Sequence, residues 1–226
     1  MTDALFAPVA RTRIKFCGMT SPRDVALAVG AGADAVGIIL AQSERGVSLE
    51  RAAEIVAEIP PYVAGVGVIG DDVAPAAALR AMGMTLQFSG PTAPAECAGA
   101  SGGRRYLKTF HVTPEGRIES GVPQAGPREY AGALWMFDAA APGRLGGTGI
   151  AFQWDVVGGL ARERPIVVSG GLTPENVGEL VRTLRPYGVD VRSGIERDGQ
   201  KDPERMRAFV RAVLEADLER ARLPTG

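Results

Sequence analysis

The sequence predicts an α/β protein in which eight parallel strands, each followed by a helix, close into a barrel. Three observations predict it. Continuous apolar runs, at Ala35 to Leu40, Val63 to Ile69, Ala133 to Phe137 and Ile166 to Val168, have the composition of strands buried on both faces. Amphipathic stretches stand between such runs: Val177, Leu180, Val181 and Leu184 repeat at helical spacing, as do Met206, Phe209, Val210, Val213 and Leu214. The strand–helix alternation occurs eight times in 226 residues, which suits a compact single-domain (β/α)8 TIM barrel.

In chain order, strands are expected near residues 13–18, 35–41, 63–69, 84–89, 105–111, 133–138, 165–169 and 188–193. Helices are expected near 22–32, 48–59, 74–82, 92–99, 126–131, 152–161, 174–185 and 203–219. Ser21-Pro22, Thr173-Pro174 and Asp202-Pro203 each place a capping side chain before a proline suited to the first helical position. The whole chain, 1–226, reads as one domain, with the barrel from about 13 to 219 and short extensions at both ends. An open doubly wound sheet is the competitor. Its first turn would need a glycine-rich dinucleotide cradle, whereas this turn is Cys17-Gly18-Met19-Thr20.

Composition narrows the function. Twenty-five Lys and Arg against 26 Asp and Glu leave a formal charge of −1, which argues against nucleic-acid or membrane partners. One histidine, His111, and two cysteines, Cys17 and Cys97, exclude zinc-finger, disulfide-scaffold and CxxC redox readings. No signal-type apolar stretch opens the chain and no run approaches the roughly 18 apolar residues of a membrane span, so a soluble cytoplasmic protein is expected. The 30 glycines and 16 prolines are spread as punctuation, leaving no linker or second domain in view.

Barrel chemistry sits at the C-terminal ends of the strands, and this rule sorts the candidates. Asp34 and Asp190, read as lying at strand starts, are expected to cap the bottom; Asp138 ends strand 6 and faces the top. Lys15 and Cys17, two apart on strand 1, leave the same side of the pleat, and an ammonium neighbour favours thiolate. Cys97 lies in a small-residue helix and reads as packing. Ser169-Gly170-Gly171-Leu172 after strand 7 and Ser193-Gly194 after strand 8 fit a phosphate cradle, because glycines let backbone amides approach an anion. Residues 139–151, with Gly146-Gly147-Thr148-Gly149, read as a mobile loop over the mouth. Arg45, after strand 2, is either a solvated charge or a fork for a substrate carboxylate; His111, after strand 5, can line the same mouth.

Lys15-Phe16-Cys17-Gly18-Met19-Thr20, Phe137-Asp138, the Gly146–Gly149 run with Phe152 and Trp154, and Ser169-Gly170-Gly171-Leu172-Thr173-Pro174-Glu175-Asn176, taken in order, resemble the phosphoribosylanthranilate isomerase family of tryptophan biosynthesis. The resemblance runs from about residue 13 to 214. It implies an Amadori rearrangement of N-(5-phosphoribosyl)anthranilate, needing neither metal nor other cofactor, with Asp138 as general acid and Cys17 as general base. Arg45 would hold the anthranilate carboxylate. Lys15, Gly147, Gly170, Gly171, Ser193 and Gly194 complete the expected substrate contacts, and the protein would act as a monomer or homodimer on a small phosphoribosyl substrate.

The chain departs from the family pattern at Ser89, where histidine is common, at Arg192, where a small residue is common, and at Gln153, where aspartate is usual. Two alternatives stand beside the isomerase: another phosphosugar isomerase on the same barrel, and an idle paralogue that binds a phosphorylated ligand. A physical tension also stands. A general acid must hold its proton, which burial of Asp138 would favour and proximity of Lys15 would oppose.

Overall fold

The structure, a computed structural model, describes residues 11–41, 43–139 and 149–222. Strand β1 (Arg13–Cys17) shows how the barrel is made. Ile14 and Phe16 pack in the layer shared with the helices, Lys15 and Cys17 turn to the barrel interior, and all four are buried. Because neither face meets water, the strands read as continuous apolar runs.

Strands β2 (Ala35–Ile39), β3 (Ala64–Ile69), β4 (Thr85–Phe88), β5 (Tyr106–Val112), β6 (Ala133–Ala139), β7 (Ile166–Ser169) and β8 (Gly188–Val191) continue the parallel sheet. Pairing of β4 with β5 (Gln87 opposite Leu107) and of β8 with β1 (Asp190 opposite Lys15) closes the ring. The fold is the eight-stranded parallel barrel that the sequence predicts. Val66, Val68, Leu107, Met136 and Val167 fill the lumen, while a larger apolar layer joins Phe16, Phe88, Phe110 and Phe137 to the surrounding helices.

Those helices are α1 (Pro22–Ala31), α2 (Leu49–Val56), α3 (Ala76–Ala81), α4 (Pro94–Ala100), α5 (Gly149–Glu163), α6 (Val177–Leu184) and α7 (Pro203–Arg222). Ser21 opens α1 with a reciprocal capping box to Asp24, and Asp202 accepts the Glu204 and Arg205 amides at 2.7 and 3.2 Å at the start of α7. Thr173-Pro174 instead forms a turn, and α6 begins only at Val177, since the Asn176 side chain accepts the Thr173 amide (2.8 Å) and tightens the loop ahead of the helix.

Two further expectations change. The helix at 126–131 is a single 3-10 turn, Pro127–Glu129, preceded by a two-residue strand, Ile118–Glu119, antiparallel to the end of β5. Gly121, Pro123, Gly126 and Pro127 crowd this crossover, and a longer helix there would have to accommodate them all. Strand β8 ends at Val191 and is followed by a 3-10 turn, Ser193–Ile195, and a hairpin pairing Glu196–Arg197 with Gln200–Lys201. Asp198 and Gly199, both at positive φ (51° and 73°), make its tight turn.

Candidate active site

Cys17 ends β1 inside the barrel, directly after Lys15 on the same face. Lys15 Nζ donates to Asp190 Oδ1 at 2.7 Å, and both side chains are buried. Asp190 is therefore not a cap on the bottom face, as its place in the sequence suggested. It lies opposite Lys15 in the register, and its carboxylate partners the buried ammonium in the lumen. Asp34 does cap the bottom, accepting from the Arg11 and Arg13 guanidinium groups and from the Ile14 amide.

Gly37 on β2 makes room for this cluster. A Cβ there would stand 2.8 Å from Cys17 Sγ and 2.9 Å from Lys15 Nζ, so thiol and ammonium converge on one spot. Burial raises the Cys17 pKa above that of an ordinary thiol; the Lys15 charge and hydrogen bond oppose the rise, and Asp190 adds to it. The group rests as a thiol with a cation beside it, ready to stabilise the thiolate once the proton leaves.

Asp138 stands near the top of β6, in register with His111 on β5 and Ser169 on β7. Burial raises its pKa; His111, Arg192 and the Ser169 hydrogen bond act against the rise, and Asp190 adds to it. Of the two opposed influences weighed from the sequence, burial is the larger at Asp138 and favours the acid form, while the Lys15 ammonium is paired with Asp190. Cys17 at the end of β1 and Asp138, two residues after the lumen residue Met136 on β6, both face the interior, so a thiol and a carboxyl share one mouth.

The loops after β7 and β8 meet beside this pair. Gly170 and Gly171 adopt positive φ (92° and 61°), and a Cβ on Gly194 would lie 1.8 Å from the Leu172 carbonyl oxygen, so only glycine lets the two loops touch. Asn176 Nδ2 donates to the Gly171 carbonyl (3.0 Å), and Arg205 Nε donates to the Gly194 carbonyl (2.9 Å), which braces the concavity from below. Ser193 is exposed at its edge.

Sequence reasoning missed the ties that hold this rim. Lys201 Nζ, almost wholly buried, donates to the Cys17 carbonyl (2.7 Å), the Arg192 carbonyl (3.1 Å) and Glu196 Oε1 (2.8 Å). Glu196 in turn accepts from Arg45 Nε at 3.3 Å and Nη2 at 3.0 Å, and Arg45 Nη2 also donates to the Gly199 carbonyl at 2.8 Å. Burial would raise the Glu196 pKa, but Arg45 and Lys201 bring it below the usual carboxylate value. No local pattern announces these contacts, because Arg45 and Glu196 are 151 residues apart.

Other expected residues fall as follows. His111 is exposed at the mouth, and Cys97 is packed in α4 with its thiol pKa pushed up to about 11, chiefly by burial. Ser89 bonds into a polar cluster with Gln87 and Thr109, all three contacts within 3.2 Å. Gly147, and most of the loop read over 139–151, lies outside the described residues.

A family profile described as N-(5'-phosphoribosyl)anthranilate isomerase matches residues 14–212. The N-(5'-phosphoribosyl)anthranilate isomerase of Pelobacter propionicus is 37% identical over 217 residues, covering 93% of this chain and 99% of that protein. The Pseudomonas aeruginosa protein of that name is 41% identical over 210 residues, covering 89% and 94%. Among solved structures, a phosphoribosyl anthranilate isomerase in complex with reduced 1-(o-carboxyphenylamino)-1-deoxyribulose 5-phosphate superposes with a TM-score of 0.73 at 27% identity, covering 90% of this chain and 99% of that one. The enzyme from Thermus thermophilus gives 0.73 at 28% identity with the same coverage.

Proposed function

Because the chain belongs to the N-(5'-phosphoribosyl)anthranilate isomerase family, we propose that its barrel mouth performs that rearrangement of tryptophan biosynthesis with Cys17 as general base and Asp138 as general acid. Asp138, held toward its acid form by burial, protonates the furanose ring oxygen as the C1–O bond breaks, and the anthranilate nitrogen becomes an iminium. Cys17 then takes the hydrogen from C2 as a proton. The resulting enolamine tautomerises, losing the C2 hydroxyl proton and gaining one at C1, to give the 1-amino-1-deoxyribulose 5-phosphate. Lys15 stabilises the thiolate form of Cys17 that takes this proton.

The paired backbone loops at Gly170, Gly171, Ser193 and Gly194 take the phosphate, and Gly147 belongs to the same expected substrate shell. Arg45 stands at the anthranilate end of the mouth, its orientation fixed by Glu196. The observation that supports the reading is geometric: Cys17 ends β1 on the barrel's inner face with the Lys15 ammonium beside it, and Asp138 stands near the C-terminal end of β6 at the same rim. No helix among the described residues is long and apolar enough to cross a membrane. The reading assigns a cytoplasmic enzyme, active as a monomer or homodimer; one solved relative is described as monomers generated from a dimeric enzyme.

The test is the fluorescence of N-(5-phosphoribosyl)anthranilate on addition of purified protein. Decay in proportion to protein concentration is expected, and a signal that decays no faster than the substrate's spontaneous breakdown refutes the activity.

A further inference from the structure

We propose that Arg192 is a second carboxylate-binding residue, which joins Arg45 in holding the anthranilate carboxylate and so tunes selectivity for the acidic substrate; this rests on the isomerase reading above.

The geometry starts at Gly18, the residue after the candidate base. Its φ is +75°, and the spot where a Cβ would sit lies 3.3 Å from Arg192 Cγ, 3.5 Å from Arg192 Cδ and 3.5 Å from Arg45 Cβ. Two arginine stems thus converge over the one residue of this turn that has no side chain. Arg192 roots in the strand 8 turn and leans across β1, away from the Gly170-Gly171 loop on the opposite side of β8 and toward the loop that carries Arg45. The direction separates it from the phosphate cradle.

The root is anchored, since the buried Lys201 ammonium ties the Arg192 carbonyl to the Cys17 carbonyl. The head is available: among the described residues Arg192 makes no ion pair or side-chain hydrogen bond, and the residue is exposed. Arg45 differs. Glu196 occupies its Nε and Nη2, and Gly199 takes the other Nη2 hydrogen, so Nη1 alone is left to offer a ligand beyond a 3.4 Å contact with the Glu44 carbonyl. A carboxylate has two oxygens, and one Nη1 cannot chelate both. A second guanidinium over Gly18 supplies the missing donors. The positive charge Arg192 brings also reaches Asp138, where it opposes the rise due to burial.

The experiment compares N-(5-phosphoribosyl)anthranilate with N-(5-phosphoribosyl)aniline, which lacks the carboxylate. Arg192→Ala should lower kcat/KM for the anthranilate substrate by about 10- to 30-fold, the lower part of the range for a charge-assisted hydrogen bond because the site is open to water. The loss should appear mainly in KM, the aniline substrate should change little, and Arg192→Lys should recover part of the difference. An unchanged anthranilate-to-aniline ratio overturns the proposal. So does an equal loss on both substrates together with weakened inhibition by inorganic phosphate, which would assign Arg192 to the phosphate. Wild-type protein inert toward both compounds refutes the isomerase reading itself, a result distinct from either.

Discussion

Gly37 offers a perturbation whose size can be worked out. A methyl group there would stand 2.8 Å from Cys17 Sγ and 3.2 Å from Lys15 Cε. Ordinary nonbonded contacts settle near 3.5–4.0 Å, so from 2.8 Å the thiol would have to retreat by roughly 0.7–1.2 Å. A misplacement of about 1 Å at a reacting atom costs on the order of 100-fold in rate. Overpacking of this kind also costs about 1–3 kcal/mol, which a domain of this size survives. Gly37→Ala is therefore expected to lower kcat about 100-fold in a folded protein with a modestly reduced melting temperature. The assay is initial-rate fluorescence with the anthranilate substrate, beside thermal unfolding and the rate of Cys17 alkylation. Near-wild-type kcat in the folded variant would refute the claim that this spot sets the position of the thiol.

Asp190→Asn removes the partner of a buried ammonium and should destabilise the protein by about 3–5 kcal/mol in denaturant unfolding. Since Asp190 raises the Cys17 pKa, the same variant should lower it and speed alkylation at mildly alkaline pH; an unchanged titration would contradict the shared lumen. The pH profile of kcat/KM carries a further sign. Burial raises the pKa of both the Asp138 carboxyl and the Cys17 thiol, and the reactive pair, acid plus thiolate, exists only where the two groups together hold one proton. Activity should fall on the acid side as the pair gains a second proton and on the alkaline side as it loses its last. An alkaline limb that persists unshifted in Asp138→Asn would contradict the assignment.

How much of this was legible in the sequence depends on the distance over which each feature is decided. Local patterns were enough for the eight strands and for the caps at Ser21 and Asp202, because a capping side chain bonds amides two or three residues away. The places of Cys17, Asp138 and the glycine loops at strand ends were also legible, since strand ends in a barrel face one way. Asp190 was misread. The expected strand ran to residue 193, which made an aspartate near its start look like a cap, whereas the strand ends at Val191 and the carboxylate meets Lys15, 175 residues away. Lys201 and Glu196 were invisible for the same reason, as the hairpin that presents them matters only once it folds over the ends of β1 and β8. The crossover after β5 failed differently: its helix expectation competed with closely spaced glycines and prolines, and they prevailed.

The central claim is that Cys17 and Asp138 share the proton transfers. Turnover of N-(5-phosphoribosyl)anthranilate by Cys17→Ser and Asp138→Asn, each checked for an intact fold, tests it most directly. General acid or base action predicts that each variant loses about 10²- to 10⁴-fold in kcat. Near-wild-type turnover in either variant would contradict the account.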